Sequence, residues 1–179
     1  MITILADDSL SPIGQRLYDI LLQKGAQAEY ISIKDTSVKP CVNCGSCSGK
    51  TYGRCVTHDD ADWLLPKMMA ANALVVVTPV LFGGYSVKTK RVLDKLGLIM
   101  DRHYFVRRGE MAKGGLVGRP FHYRVLGVQR VPDADEAEAF RTLVRETVTI
   151  TRGRGGAYTG GPSPDGWPLE TIAGEVLDA

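Results

Sequence analysis

Short apolar stretches alternate along this chain with segments whose apolar residues recur at helical spacing. Ile2–Ala6 and Ala73–Thr78 have strand length, and the second has no polar alternation, which is typical of a parallel strand covered on both faces. Ile13–Lys24 has the helical period and stops at Gly25. The alternation predicts βαβ units and a parallel sheet.

The same patterns predict the remaining elements. Three further strands are expected at Ala28–Ile33, Phe121–Val128 and Gly155–Thr159. Three further helices are expected after an N-cap at Asp59, over Tyr85–Met100 and over Asp133–Ile150. Asp101–Arg119 is predicted to be a loop, and Trp167–Ala179 a final helix or a partly ordered arm. Five parallel strands with helices between them predict a doubly wound, three-layer α/β/α sandwich. In that architecture, ligands bind at the carboxyl ends of the strands.

A chain of 179 residues has the length of one domain. We therefore expect a single domain over residues 1–179, with a cysteine-rich insertion loop at 40–57 and a C-terminal tail from about residue 160.

The net charge and the hydropathy of the chain limit the classes of partner that we expect. The net charge of +2 is too small to argue for nucleic acid, and no apolar run has membrane-spanning length. Basic residues crowd between Arg102 and Arg130, as either a solvated face or a docking patch for an anionic nucleotide or an acidic redox partner. The start of the chain lacks the pattern of a signal peptide. We expect a cytoplasmic protein whose thiols stay reduced.

All four cysteines lie within fifteen residues, which indicates metal, iron–sulfur or thiol redox chemistry. They are Cys41, Cys44, Cys47 and Cys55. Two-residue gaps let three thiolates wrap one side of a compact cluster, which the fourth can close. Zinc also accepts four thiolates, although its sites more often pair two separated Cys-x2-Cys arms. Free thiols without a metal are the third alternative.

The turn after the first predicted strand is a candidate phosphate site. Ser9 and Ser11 supply hydroxyl groups, Gly14 permits close backbone approach, and Gln15 follows in the first helical turn. The same residues suit ordinary N-cap chemistry.

The loop after the third predicted strand is a candidate site for a planar ring. Its residues are Pro79, Val80, Leu81, Phe82, Gly83 and Gly84. Glycines allow close approach, and backbone amides can hydrogen-bond ring heteroatoms. The alternative is a glycine-rich connector that carries core aromatic residues.

Catalytic side chains are not indicated. His58, His103 and His122 are scattered, and no Ser-His-Asp, HExxH or P-loop pattern is present. We assign no catalytic acid or base.

The motifs together resemble the flavodoxin-like NAD(P)H-dependent FMN reductase family, and more narrowly its iron–sulfur flavoprotein branch. The resemblance rests on the cysteine run after Pro40, on Asp59-Asp60, on Thr78-Pro79-Val80, and on Lys90 with Asp94-Lys95. It covers about Ala28 to Leu98. The family's first loop usually reads Gly-Ser-x-Arg, where this chain has Asp7-Asp8-Ser9. The family's usual Tyr after Pro-Val is Leu81 here, and its Asp-Arg is Asp94-Lys95.

The resemblance implies a flavodoxin-like fold and an FMN-dependent oxidoreductase. It implies that the loop after the first strand binds FMN phosphate, that Pro79–Gly84 lies against the isoalloxazine ring, and that the four cysteines hold a 4Fe-4S cluster near the flavin. It also implies an NAD(P)H or ferredoxin-type electron donor, a small-molecule or protein acceptor, and a homodimer or homotetramer.

A second hypothesis remains open. Asp7 and Asp8 place two carboxylates where a phosphate is expected, and like charges oppose each other. On this second hypothesis, the chain is a flavin-free, flavodoxin-like module whose four-cysteine loop is a structural zinc site or a redox sensor.

Overall fold

A parallel sheet forms the centre of the molecule. The computed structural model describes residues 1–98, 103–107, 109–113 and 122–179. The strands of the main sheet are β1 (Ile2–Ala6), β2 (Ala28–Ser32), β3 (Ala73–Leu81), β4 (Gly84–Tyr85), β7 (His122–Val128) and β8 (Arg154–Gly160); β5 (Tyr104–Arg107) and β6 (Glu110–Lys113) form a separate antiparallel hairpin. The helices are α1 (Ile13–Gln23), α2 (Ala61–Ala70), α3 (Val87–Leu93), α4 (Ala134–Ile150) and α5 (Leu169–Leu177).

The strand order confirms the predicted doubly wound sheet. The parallel strands run β2-β1-β3-β7-β8, which is the 2-1-3-4-5 order of flavodoxin-like folds. Each neighbouring pair is parallel, with Ile4 of β1 opposite Tyr30 on one side and Val75 on the other. All nine residues of β3 except Leu81 are buried, as expected of a central strand.

Successive residues of each central strand point to opposite faces, and each face has its own apolar core. Leu5 and Val76 belong to the core that includes Leu64 and Met68 of α2 and Phe140 of α4. The neighbouring residues Ile4 and Val75 belong to the core beneath α1 and α5. Helices therefore cover both faces, which confirms the three-layer arrangement.

The predicted helix over Tyr85–Met100 is wrong in its extent. Residues 84 and 85 return along β3 as the short strand β4, and α3 begins only at Val87. The cause is Ser86, whose hydroxyl accepts the N–H of Thr89 and so caps the helix. A 3-10 turn follows at Leu96–Leu98. Residues 99 and 100 lie outside the described residues.

Two smaller predictions are also corrected, and the tail adopts the first of its two predicted alternatives. Helix α2 begins at Ala61 with Asp60 as its N-cap residue, one position later than predicted, while Asp59 Oδ1 accepts the N–H of Ala61 at 2.9 Å. The predicted loop over 101–119 contains the β5–β6 hairpin. Residues 101, 102, 108 and 114–121, which include part of the basic segment and Phe121, lie outside the described residues. The tail is an ordered helix, α5, packed on α1.

No helix in the described ranges combines the length and the apolar character needed to cross a membrane.

Candidate functional site

Four loops meet at the carboxyl edge of the sheet. They follow β1, β2, β3 and β7, and the parallel pairing of these strands brings their carboxyl ends to the same side. The loop after β2 contains the cysteines. This edge includes the switch point of a doubly wound sheet, where ligands bind.

Asp7, at the end of β1, is turned toward the loop after β3. It is 5% exposed, and its Oδ2 accepts a hydrogen bond of 2.5 Å from the hydroxyl of Ser86. Its Oδ1 accepts the N–H of Ser9 at 3.3 Å. The hydroxyl of Thr78 accepts the N–H of Ser86 at 3.1 Å. Asp7 therefore links the two loops that the sequence predicts as cofactor sites.

Asp8 lies on the other side of the first loop and lines a cavity. Its Oδ2 accepts a 2.6 Å hydrogen bond from the hydroxyl of Tyr30, whereas its Oδ1 is buried and accepts none within the described chain. Burial, followed by the hydrogen bond to Asp8 and that residue's charge, raises the pKa of Tyr30. The cavity has a volume of about 440 Å³ and is lined by Asp8, Ser9, Leu10, Ser11, Pro12, Gln15 and Tyr30.

The start of α1 offers backbone donors to this cavity. Pro12 is the N-cap residue and provides no side-chain cap for the first-turn N–H groups. Of the first-turn residues, Gln15 lines the cavity, whereas Ile13 and Gly14 are buried. A helix N-terminus of this kind favours an anion. Of the lining side chains, Gln15 donates to Asp19 at 3.0 Å on the exposed face of the helix.

Two of the predicted phosphate-site residues have structural contacts as well. Ser11 lines the cavity, but its hydroxyl donates to the carbonyl of Pro162 at 2.7 Å. Gly14 is buried, and a Cβ there would lie 3.1 Å from Cβ of Ala6 and 3.3 Å from Val77. Gly14 therefore lets α1 pack closely on the sheet. Its place in a phosphate site stays a prediction.

The predicted ring loop is a tight hairpin. Strand β3 continues through Pro79 and Val80 to Leu81, and β4 pairs back along it. The two turn residues, Phe82 and Gly83, have positive φ values of 51° and 70°. This is the backbone of a two-residue primed turn, which favours glycine because of its positive φ angles. The side chain of Phe82 is 97% exposed and that of Leu81 is 45% exposed.

A second cavity lies between this turn and the loop after β7. Its volume is about 310 Å³, and its walls include Val80, Leu81 and Phe82 on one side and residues 129–133 on the other. The side-chain amide of Gln129 donates to the carbonyl of Asp133 at 2.8 Å and braces the second wall. The sequence reasoning missed residues 129–133. Their position after the fourth parallel strand, at the same edge, was the available signal.

The cysteine loop surrounds the Ser46–Ser48 3-10 turn. Cys41 and Cys44 are exposed, while Cys47 and Cys55 are half-buried against the core beneath α2. Positive φ values at Asn43, Gly45 and Gly53 produce its sharp turns. In the described part of the chain, no three Cys, His, Asp or Glu side chains are gathered as a metal site. The donor set suits a cluster, but the thiols would have to move together to bind one.

Cys44 is the thiol with a perturbed acidity. The backbone N–H of Ser46, and then its hydroxyl, hydrogen-bond to the sulfur and lower the pKa of Cys44. A thiolate is the form that attacks oxidants and ligates metals.

The fold and the cavities at its carboxyl edge define a protein of the flavodoxin-like class. The model of the NADPH-dependent FMN reductase family matches residues 9–126, more than half of the chain, and the chain belongs to this family.

Curated relatives named iron-sulfur flavoproteins match about half of this chain. The chain is 33% identical over 93 residues to an iron-sulfur flavoprotein of Methanocaldococcus jannaschii, covering 52% of this chain and 43% of that one. It is 30% identical over 95 residues to an iron-sulfur flavoprotein of Methanosarcina thermophila, covering 53% of this chain and 48% of that one. The matches thus span less than half the length of these relatives.

Solved structures agree in fold. An NADH:FMN oxidoreductase in its apo form superposes with a TM-score of 0.58 and 12% identity, covering 99% of this chain and 86% of that one. An FMN-dependent NADH-azoreductase of Bacillus anthracis in complex with FMN gives 0.57 and 15%, covering 99% and 96%. At this identity the likeness concerns the fold alone.

Proposed function

We propose that this protein is an FMN-dependent oxidoreductase that passes electrons from an NAD(P)H or ferredoxin-type donor to a small-molecule or protein acceptor. One observation carries the proposal. The uncapped start of α1 and the Phe82–Gly83 turn lie after neighbouring strands of one sheet edge, and Asp7 bridges their loops through Ser86. Family membership supports the same cofactor.

The ring end of the site fits FMN well. The exposed Leu81 and Phe82 offer apolar contact to an isoalloxazine ring, and the cavity between them and residues 129–133 gives it a place. Backbone amides at Gly83 and Gly84 are the candidate donors to the polar ring atoms.

The groups at the phosphate end of the site suit the phosphate of FMN, except for the opposing negative charge of Asp8. Ser9, Gln15 and the first-turn amides of α1 are the groups that would hold the phosphate. Asp8 lines the same cavity, and Lys, Arg and His are absent from the cavity-lining residues of the described chain. The residues present thus fit a phosphate bound by backbone dipoles and hydroxyls, with an affinity that Asp8 reduces.

Bound FMN would supply the hydride- and electron-accepting chemistry. The protein's own contribution would be to position the ring against the Phe82–Gly83 turn, whose loop is joined to the first loop by the hydrogen bond between Ser86 and Asp7. We assign no side chain a proton-transfer role.

We further propose that Cys41, Cys44, Cys47 and Cys55 bind a 4Fe-4S cluster. The names of the curated relatives and the set of four thiols support this cluster. The low pKa of Cys44 favours the thiolate that a metal needs. A homodimer or homotetramer is part of the proposal, and the exposed apolar residues Tyr104, Val106 and Met111 of the hairpin are compatible with subunit contact.

Anaerobic purification followed by absorption spectroscopy tests the proposal. Iron, sulfide, zinc and flavin are quantified on the same sample, which is then mixed with NADH or NADPH to detect bleaching of the flavin bands. We expect one FMN and about four irons per chain, as full thiolate ligation allows. Failure to bind added FMN would refute the proposed function, and flavin without iron would refute only the cluster.

A second candidate function has its own support. The carboxylate of Asp8 in the first cavity opposes a phosphate, and the exposed, acidified Cys44 suits a redox-sensing thiol. On this alternative, the chain is a flavin-free module whose four cysteines bind zinc or report oxidation. Stoichiometric zinc with no flavin uptake in the same measurement would favour it.

A further inference from the structure

The cysteine loop, residues 40–57, is closed at its base by two adjacent carboxylates. Asp60 Oδ2 accepts the N–H of Ser37 at 2.6 Å, and its own N–H donates to the Ser37 carbonyl at 3.4 Å. Asp59 Oδ2 accepts the N–H of Lys39 at 2.9 Å, while its Oδ1 accepts the N–H of Ala61. We call these five residues the neck of the loop, because they join the chain before Cys41 to the chain after Cys55.

A buried cation completes the neck. Nζ of Lys95 lies 2.6 Å from Asp59 Oδ2, and the two side chains are only 1% and 3% exposed. Burial alone would raise the pKa of Asp59, but the hydrogen bond from Lys95, those from Lys39 and Ala61, and the lysine charge together lower it. The charged form of Asp59 is therefore favoured, and removing Lys95 would leave this buried carboxylate without its cation.

Lys95 also stands next to the loop itself. It immediately precedes the Leu96–Leu98 turn, which contacts the Ser46–Ser48 turn that contains Cys47. Leu96 belongs to the core against which Cys47 and Cys55 pack. Lys95 thus joins the neck through its side chain, and the turn that follows it in the chain contacts the cysteine loop.

A second lysine–aspartate pair, at the end of α3, allows a comparison with the buried pair of Lys95 and Asp59. Lys90 pairs with Asp94 four residues along the chain, but there the side chains are 56% and 37% exposed. Exposed pairs of this type contribute little to stability. Lys90 and Lys95 are only five residues apart, and each pairs with an aspartate. The two pairs therefore differ chiefly in burial and in their connection to the cysteine loop.

We propose that Lys95 is the positioning residue of the cysteine loop: through Asp59 it fixes both ends of the loop and so limits the distance over which the four thiols must move to bind one cluster. The cluster part of this inference rests on the proposed function. The fixing of the neck does not, because its contacts join protein groups other than the cysteines.

The first test compares Lys95→Met, Lys95→Arg and Lys90→Met after anaerobic cluster reconstitution. In Lys95→Met, iron per chain is expected to fall at least fivefold while FMN per chain stays within twofold of wild type. Lys95→Arg keeps a cation able to pair with the carboxylate and is expected to restore iron to within twofold. Lys90→Met is expected to retain both cofactors. Equal loss of iron and FMN would indicate general destabilisation and overturn the positioning role.

The second test uses hydrogen exchange on metal-free protein, so that it remains decisive if wild type binds no iron. The amides of Lys39 and Ala61 are expected to exchange at least tenfold faster in Lys95→Met than in wild type or Lys90→Met. Asp59→Asn, which keeps a side-chain acceptor, serves if Lys95→Met does not fold, and an intermediate increase is expected. Wild-type exchange at both amides in a folded Lys95 variant would overturn the inference. Absence of iron from wild type would refute only the cluster.

Discussion

Asp8 places a carboxylate in the cavity where the phosphate of FMN is expected. Its Oδ1 is buried without a donor in the described chain, and its Oδ2 is held by Tyr30. Two unit charges about 6 Å apart repel by roughly 3 kcal/mol at an effective dielectric constant of about 20, before screening by salt. We therefore predict that Asp8→Asn lowers the Kd for FMN by about tenfold or more.

Flavin fluorescence titration measures this change, and riboflavin provides the control ligand. Riboflavin has the same ring and no phosphate, so its Kd should change little. Asp178→Asn, which removes an exposed carboxylate from the end of α5, should leave both affinities unaltered. An equal gain for both ligands would show that Asp8 does not act on the phosphate.

Gly83 is required by the geometry of the ring turn. Its φ is +70°, and an added Cβ would lie 2.8 Å from Cβ of Ala139 on α4. Gly83→Ala should therefore lower the free energy of unfolding by about 1–3 kcal/mol and weaken flavin binding. Gly84→Ala is the matched control, since its added Cβ would make only an ordinary contact of 3.5 Å with the Leu81 carbonyl. Urea unfolding and flavin titration of both variants measure these effects. Similar losses of stability and flavin affinity in the two variants would contradict a special requirement for glycine at position 83.

His122, on the first residue of β7, makes stability depend on pH. Burial lowers the pKa of His122, and the charges of Arg154 and Arg124 lower it further. The unfolded chain protonates this imidazole near pH 6.5, so as the pH falls below that value it binds more protons than the folded protein. The contribution of His122 should thus reduce the free energy of unfolding as the pH is lowered through about 6.5.

Urea unfolding at pH 7.5 and pH 5.5 measures this dependence. His122→Gln should reduce the difference between the two values, because glutamine does not titrate. His58→Gln removes an exposed imidazole and serves as the control. An unchanged difference in His122→Gln would assign the acid sensitivity to other groups.

At the scale of elements, α5 is a structural part of the domain face that also carries α1. Ile172 is fully buried in the core formed with Leu17 and Leu21, whereas Leu177 at the end of the same helix is 40% exposed. Ile172→Ala should lower the free energy of unfolding by about 2–5 kcal/mol, since it removes buried methyl groups and leaves a cavity. Leu177→Ala should change it by less than about 0.5 kcal/mol. If urea unfolding showed that Ile172→Ala changes the free energy of unfolding as little as Leu177→Ala does, α5 would contribute little to the core.

The elements that the sequence predicts well are those whose signal is local. Uninterrupted apolar character marks β3, and an acidic start marks α4, so both were placed closely. The helix expected from Tyr85 begins at Val87 instead, because Tyr85 pairs with β3 across a turn that depends on positive φ at Phe82 and Gly83. The strands of the β5–β6 hairpin are only four residues long, which is too short for a distinct alternation, and Tyr104 and Val106 of the first strand are both exposed.

The features of the candidate site likewise fall into two groups, those with a local signal in the sequence and those without one. Cysteine spacing and the glycines of the ring turn are visible in the sequence because each lies within one segment. The pairing of Asp59 with Lys95 joins residues thirty-six apart, and the wall at residues 129–133 joins the site only through the strand order. Contacts of this kind arise from the fold, and one sequence carries no local record of them.

At the scale of the whole molecule, the sheet and the cysteine loop are separable. Both apolar cores lie beneath helices on the faces of the sheet, while Cys41 and Cys44 are exposed at its edge. The loop is closed by contacts of Asp59, Asp60 and Lys95 with protein groups, none of which is a cysteine. The cluster is therefore expected to add to a folded protein, unlike the metal of a zinc finger, whose binding energy drives folding.

Removal of metal tests this separation directly. Protein loaded with iron and sulfide, then stripped by an oxidant and a chelator, should unfold cooperatively in urea, with a midpoint close to that of the loaded protein. Its Kd for FMN should also remain within about twofold, because the residues proposed to hold FMN belong to the loops after β1, β3 and β7 and share no hydrogen bond with a cysteine in the described contacts. If stripping abolished the transition, the loop would be part of the cooperative core, and the neck at Asp59 would be insufficient to hold it.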